Sequence, residues 1–390
     1  MNKLKILLAL HYDLDGNAGA AGSTLSLSKE YQKDNHSVSH YSTDNLPRKG
    51  ISGTIRRALF PIFFCQHINS ILSREDIDII DASTGDIWLW KSLFKEKSKR
   101  RPLIVTRSHG LEHLEHLSRL EEARKNNLKL SWKYPLYYGG LFLWEVKKSF
   151  QYADLIFVLN SEEKEYIANN FAIEPHRIYI TPNGIPDSFL NLPFTSFPHE
   201  EEKTIRIAQI GTYISRKGVQ YAKFAINNTL KKFQNVEFTF LGTKCPECLT
   251  AEQIYADFEP ELHHRIHVIP QYQHTDLPNL LRNHHIKLFP TISEGFGKAL
   301  VEAMACGLAP ITTATAGPLE IVQHEKNGII IPVGDTDAIE ASLASLISNR
   351  ELLEILRSSA YARAQRFSWS QMAQIRINAY KDFLNKRKYS

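Results

Sequence analysis

Apolar residues fall along this chain in short, nearly unbroken stretches, such as Ile6-Leu7-Leu8-Ala9-Leu10 ahead of the polar His11-Tyr12-Asp13. Stretches of about 4–8 apolar residues read as strands covered on both faces. In the first half they occur at residues 4–11, 37–43, 77–82, 103–109, 154–160 and 177–182. Helical spacing fills the gaps, as at 55–72 and 161–171, where Asn160 is the expected N-cap with Glu163 three residues on. Strand and helix alternating in this way predict right-handed βαβ units and a parallel sheet.

The pattern pauses at 186–203, where Pro186, Pro193, Pro198 and Glu200-Glu201-Glu202 show no period and predict a linker. A second series follows, with strands at 205–211, 236–242, 265–269, 286–290, 308–313 and 328–332. The prediction is an α/β protein of two doubly wound domains, 1–185 and 204–369, then a last helix at 370–390. At 390 residues the chain exceeds what one core usually organises, which agrees. Such domains bind ligands beyond the carboxyl ends of their strands, here a cleft.

Composition narrows the class. With 43% hydrophobic and 23% charged residues, a disordered, collagenous or coiled-coil chain is excluded. Four cysteines cannot make a disulfide framework, so a reducing, cytoplasmic setting is expected. The apolar run after Lys3 and Lys5 is too short for a signal peptide, and no stretch nears the ~20 residues of a membrane span. The net charge of +5 is uneven: residues 1–185 carry 25 Lys/Arg against 21 Asp/Glu, whereas 186–366 carry 17 against 20. The basic excess in the first half and the last helix can attract anionic surfaces, although a solvated face is the plainer reading.

The strongest chemical signal is Pro290-Thr291-Ile292-Ser293-Glu294-Gly295-Phe296-Gly297-Lys298-Ala299-Leu300-Val301-Glu302. A strand ends at Pro290 and a small-residue helix begins near Gly297. Its free N–H groups suit an anion such as a diphosphate. Carboxylates accept paired hydrogen bonds from vicinal hydroxyls, so Glu294 and Glu302 suit a sugar and a ribose. The bland alternative is a corner with two solvated glutamates.

This segment resembles the E-x7-E signature of glycosyltransferase family 4, retaining nucleotide-sugar enzymes of the two-Rossmann GT-B fold. Similarity continues through Gly307-Leu308-Ala309-Pro310-Ile311, Ala316-Gly317-Pro318-Leu319-Glu320, Asn327-Gly328, Thr181-Pro182-Asn183-Gly184 and Phe367-Ser368-Trp369. It is close over roughly residues 180–370 and an outline before that. The resemblance implies that the last helix completes the first, acceptor-side domain and that the second binds the donor. It implies that Glu294 contacts the transferred sugar, Glu302 the ribose, and Gly295, Phe296, Gly297 and Lys298 give main-chain contacts.

Further candidates lie on other loops. In Gly211-Thr212-Tyr213-Ile214-Ser215-Arg216-Lys217-Gly218, two adjacent cations near a helix start would stabilise a departing diphosphate. The pair resembles the family's phosphate-binding Arg/Lys, except that Thr212 stands where Arg is common, leaving Arg216 as the candidate replacement. His109, at a strand end, matches a histidine the family often has near the acceptor side, while His113 and His116 are expected at the surface. Gly16, Gly19 and Gly22 are spaced G-x2-G-x2-G, which fits a sugar- or phosphate-approaching loop better than a dinucleotide fingerprint, a plain turn being the alternative.

Metal signals are declined. Cys245, Cys248, His263 and His267 match a zinc spacing, but a parallel sheet separates them. Asp-x-Asp occurs three times and carries no information, so no metal and no other cofactor is expected. In residues 125–150, Lys129, Lys133, Lys147 and Lys148 interleave with Trp132, Tyr134, Tyr137, Tyr138, Phe142 and Trp144. That mixture suits a membrane interface or a lipid-linked acceptor, against the commoner core reading. No nucleic-acid module is present. The expectation is a retaining hexosyltransferase-like enzyme moving sugar from a UDP- or GDP-sugar to a glycan or lipid-linked acceptor in polysaccharide or glycoconjugate synthesis. A nucleotide-sugar epimerase of the same fold and an inactive nucleotide-sugar-binding protein are the alternatives.

Overall fold

The computed structural model describes residues 3–16, 19–47, 52–94, 101–125, 128–196 and 204–388. They form two units, Met1–Gly184 with Trp369–Ser390, and Ile185–Ser368. In the first unit β1 (Lys5–Leu10), β2 (Ser37–Ser42), β3 (Ile79–Ser83), β4 (Leu103–Arg107), β5 (Leu155–Val158) and β6 (Ile178–Ile180) lie in the order β2-β1-β3-β4-β5-β6. In the second, β7 (Ile205–Ile210), β8 (Val236–Leu241), β9 (Ile266–Ile269), β10 (Ile286–Phe289), β11 (Ala309–Thr313) and β12 (Ile329–Ile331) lie in the order β12-β11-β10-β7-β8-β9. Every pairing is parallel. The expected α/β class with two doubly wound parallel sheets is what forms, and each predicted run carries one strand. Strand order reverses between β1 and β3 and between β7 and β10, so each sheet has a switch point where ligands of such folds sit.

Helices cover both faces of the first sheet. Phe60, Phe64 and Ile68 pack on Leu7, Ala9 and Ile80. The opposite face, with Leu4, Ile6, Leu8 and Val105, is covered by Leu27 and Tyr31 and by Trp369, Met372, Ala373, Ile377 and Tyr380 of the last helix, Trp369–Lys388. The last helix therefore completes the first unit. A polar pin fixes it: the buried Asp81 accepts from Arg107 at 2.6 Å and from the Tyr380 hydroxyl at 2.8 Å, with Arg376 at 3.9 Å. Arg107 also donates to the Ala9 carbonyl at 2.9 Å. A charge this deep is tolerated only with such a complete set of partners.

The expected linker is corrected in part. Residues 185–196 belong to the second unit, where Asp187–Phe189 forms a 3-10 turn and Phe189 is fully buried. Phe194 packs on Tyr361, 5.4 Å between rings, and under the Arg357 guanidinium. The prolines correctly signalled irregular backbone, but irregular backbone can still be packed. Residues 197–203 of that linker lie outside the described residues.

Candidate functional site

At the switch point of the second sheet, two loops are laced together. After β7 the chain turns at Gly211, makes a 3-10 turn at Ser215–Lys217, and passes Gly218 with φ 72° into the helix Val219–Lys232. A side chain on Gly218 would run into the Pro290 carbonyl, so only glycine lets the two loops approach. The Arg216 carbonyl then accepts from the Ile292 N–H and the Thr291 hydroxyl, both at 3.0 Å. This lacing brings Lys217 Nζ to 2.6 Å from Glu294 Oε2, and Arg216 to 3.6 Å from the same oxygen. Arg216 also donates to the Ser293 carbonyl at 3.2 Å.

Both partners are mostly shielded, Lys217 at 16% and Glu294 at 17% exposure. Burial raises the Glu294 carboxyl, but Lys217 and Arg216 outweigh it and hold the group below its ordinary range. Burial lowers the Lys217 ammonium, against the pull of Glu294. The contact sets an ammonium against a carboxylate, a positive and a negative charge side by side.

Beside the pair, the helix Lys298–Ala305 starts at Gly297, φ 96°, with no side-chain cap. Its first N–H groups are thus left to an incoming acceptor. The Gly317 N–H donates to the Glu294 carbonyl at 2.9 Å, and the Gly317 backbone is pressed on that of Phe296, leaving no room for a side chain. Phe296 itself is buried against Phe367, so it wedges the loop in place. Glu302 is 4% exposed and accepts from His274 Nε2 at 2.9 Å, with the His274 ring 5.3 Å from Phe189. No spacing in the sequence pointed to His274. Thr212 makes only backbone contacts near here, its carbonyl taking the Ile214 N–H.

In the first unit, His109 follows β4 and its Nε2 shares a 3.1 Å hydrogen bond with the Ser83 hydroxyl. Burial and then the Arg107 guanidinium push its pKa far down, so the ring is neutral. Sequence reasoning missed the neighbouring pair of His11 and Asp86, which lie 2.7 Å apart just beyond β1 and β3, at this sheet's switch point. Glu112 binds the Thr84 hydroxyl, and burial pushes its carboxyl up to about 7. Glu145 is pushed up to about 8 by burial and then by Asp86.

The glycine loop is corrected. Gly16 lies in it, but Gly19 opens the helix Gly19–Lys33 and Gly22 sits inside that helix, where a side chain would strike the Gly16 carbonyl. Asn17 and Ala18 lie outside the described residues. His113 and His116 are corrected too. His113 packs on Phe171 at 4.7 Å and His116 stacks on Tyr134 with a 3.0 Å hydrogen bond to its hydroxyl. Helical spacing placed them together but could not say what lay opposite.

Cys245 and Cys248 close a turn through their own backbones, and His263 faces the carbonyls of Tyr255 and Phe258. Among the described residues no three His, Cys, Asp or Glu side chains converge on a metal position, and no helix is long and apolar enough to cross a membrane.

Residues 194–363 match the pattern described as Glycosyl transferases group 1, and residues 18–189 match Glycosyltransferase Family 4. The capsular polysaccharide biosynthesis glycosyltransferase CapM of Staphylococcus aureus is 25% identical over 243 residues, 60% of this chain and 63% of CapM. The chain spans a third or less of two other curated relatives, 33% and 26% of their lengths. The sucrose-phosphate synthase of Thermosynechococcus elongatus shares the fold at TM-score 0.76 and 15% identity, over 98% of this chain and 100% of that one. HepE of Anabaena in complex with UDP does so at TM-score 0.70 and 14% identity, over 97% and 100%.

Proposed function

Because the chain belongs to glycosyltransferase family 4, with a GT-B fold, we propose that it transfers a sugar from a nucleoside-diphosphate sugar, with retention of anomeric configuration, to a glycan or lipid-linked acceptor. The observation that carries this reading is the Lys217–Glu294 pair held beside the uncapped helix start at Gly297. In this reading Lys217 and the first N–H groups of the helix hold the diphosphate, Glu294 orients hydroxyls of the sugar, and Glu302 takes the ribose. Within the first unit, His109 beside Ser83 belongs to the acceptor side. The bond from the anomeric carbon to the diphosphate oxygen breaks as the acceptor oxygen bonds on the same face. The acceptor's hydroxyl proton leaves to the departing diphosphate. Negative charge grows on the diphosphate as that bond lengthens, and fixed cations stabilise it more than they stabilise the ground state.

The UDP complex of HepE supports a nucleotide-sugar donor, and CapM supports an acceptor in polysaccharide synthesis. We also propose that the first unit touches a membrane surface at the cytoplasmic side. Trp132, Leu136, Leu141 and Trp144 are 77%, 67%, 51% and 45% exposed, in a segment with Lys129 and Lys133. Apolar side chains rimmed by cations suit an anionic lipid interface.

The test is release of nucleoside diphosphate from UDP- and GDP-sugars with candidate acceptors. Acceptor-dependent release together with a new glycoside is the expected result. An inverted product would remove the retaining mechanism, and nucleotide release or sugar isomerisation with no acceptor would favour the epimerase. Sedimentation with anionic vesicles, weakened by Trp132→Ser and Trp144→Ser, checks the membrane contact.

A further inference from the structure

Lys287, in the middle of β10, is fully buried, and its amino nitrogen has no hydrogen-bond partner. A lysine without a hydrogen-bond partner is an unusual thing to keep inside a sheet, since either of its charge states loses water and gains no hydrogen bond in return. Ile286 and Leu288 point to the large apolar core, so Lys287 lies on the other face with Phe289. Directly across the sheet stand Ala208 of β7 and Pro310 of β11, neither of which can bond it. Its nitrogen sits 5.4 Å from the centre of the Phe289 ring, and Lys217 sits 5.2 Å from the same ring. Gly297, at the helix start, comes against that ring's edge. Lys287 is therefore a buried amine under the floor of the proposed diphosphate site.

Burial depresses this amine strongly, Lys217 depresses it further, and Glu302 pulls the other way. The remaining ionisable groups around it are accounted for. Glu294 is held ionised by Lys217 and Arg216. The Cys306 thiol is pushed up to about 12 and the Tyr272 hydroxyl is also raised, so both keep their protons. His285, two residues back on the same face, accepts from the Arg206 N–H and is pushed down to about 3 by burial and Arg357, so it stays neutral. His274, bonded to Glu302, and Lys217, whose ammonium is itself lowered by burial, are the other sites where a proton could go.

Resting on the donor-site reading above, we propose that Lys287 is a proton reservoir for that site: a neutral amine that takes up a proton when a nucleoside diphosphate binds. The diphosphate brings at least two negative charges next to Lys217, cancels the repulsion that Lys217 exerts on Lys287, and adds attraction of its own. Affinity for the nucleotide is then linked to pH, weakening as pH rises. The nucleotide's own terminal phosphate titrates near pH 6, so the effect reads cleanly above that.

The experiment is calorimetric titration of the full chain with UDP, GDP and ADP at pH 7.5–8.5, in buffers of different ionisation heat. The expected result is net uptake approaching about one proton per nucleotide, with Kd rising up to about tenfold per pH unit. In Lys287→Met, which keeps the length and removes the amine, uptake is lost and Kd no longer follows pH. His274→Gln keeps the uptake. Tight binding by the wild type without uptake overturns the proposal and leaves the donor site standing, and this arm needs no variant to fold. Uptake that survives Lys287→Met but vanishes in His274→Gln also overturns it and assigns the proton to His274. No binding of any of the three nucleotides overturns the donor site and the reservoir together.

Discussion

Lys217 Nζ and Glu294 Oε2 lie 2.6 Å apart, although the two residues come from different loops 77 positions apart in the chain. Each was expected to serve a different part of the donor, and each turns out to hold the other. A carboxylate with a second free oxygen and an ammonium with three donors can keep this contact and still bind a ligand.

Lys217→Ala should lower kcat/KM strongly, by roughly a hundredfold to a thousandfold, the scale for losing one preorganised contact to developing charge. It also strands Glu294 with only Arg216 at 3.6 Å. Lys217→Arg should recover part, because a planar fork does not reproduce a point charge. Arg216, at 38% exposure and pointed at the Ser293 carbonyl, should cost about tenfold or less as Arg216→Ala. Steady-state kinetics on folded variants decide this. An Arg216 loss as large as that of Lys217 would make Arg216 the replacement for the Arg absent at Thr212.

Glu302→Ala should weaken nucleoside diphosphate binding by about 1.5–3 kcal/mol, the scale of a charge-assisted hydrogen bond, with the fold retained. Isothermal calorimetry beside a thermal melt checks it. Unchanged affinity takes Glu302 out of the ribose role, leaving it as the partner of His274.

Turnover should survive chelation by EDTA, because Lys217, Arg216 and a helix start suffice in principle to hold a diphosphate. Loss of activity restored by added manganese or magnesium would show that a metal carries part of that charge.

Glu145 couples stability to pH. Its folded carboxyl titrates at about 8 because of burial and then Asp86, well above the roughly 4.3 of an unfolded chain. A raised acid favours the folded state fully at low pH, and that advantage fades as pH climbs from about 4.3 to about 8. Glu145→Gln removes the penalty, so its Tm should exceed that of wild type by several degrees more at pH 9 than at pH 5. Equal shifts at both pH values would mean the group titrates normally.

The pin at Asp81 should be costly to disturb. Tyr380→Phe removes one hydrogen bond to a buried carboxylate, about 1–3 kcal/mol. Asp81→Ala leaves Arg107 uncompensated, for about 3–5 kcal/mol. Denaturant melts read both, and a neutral Asp81→Ala would mean that Arg107 finds other partners.

The sequence alone determined what local pattern can determine. A parallel strand covered on both faces must be nearly all apolar, so β1, β3, β4 and β10 announced themselves. The Asn160 cap was legible for the same local reason, its side chain accepting from the Glu163 N–H at 2.8 Å. The glutamates at 294 and 302 stood out because a glycine-bearing loop and a small-residue helix flank them. Tertiary structure alone decided which polar groups meet. Asp81 and Tyr380 are 299 positions apart, Lys217 and Glu294 77, and Glu302 and His274 28. Those meetings follow from strand order and from which side chains lie on the same face of a sheet. From the sequence Lys287 is a lone charge in a run that otherwise reads as a covered strand, and Glu163 is one half of a capping box. Yet the Lys287 amine is buried beneath the loop that carries Glu294, and the Glu163 carboxylate takes the Leu111 and Leu159 N–H groups at 3.1 Å. Which groups meet a buried side chain is a property of everything folded over it, and no local pattern says that the Lys287 amine is left without a hydrogen-bond partner.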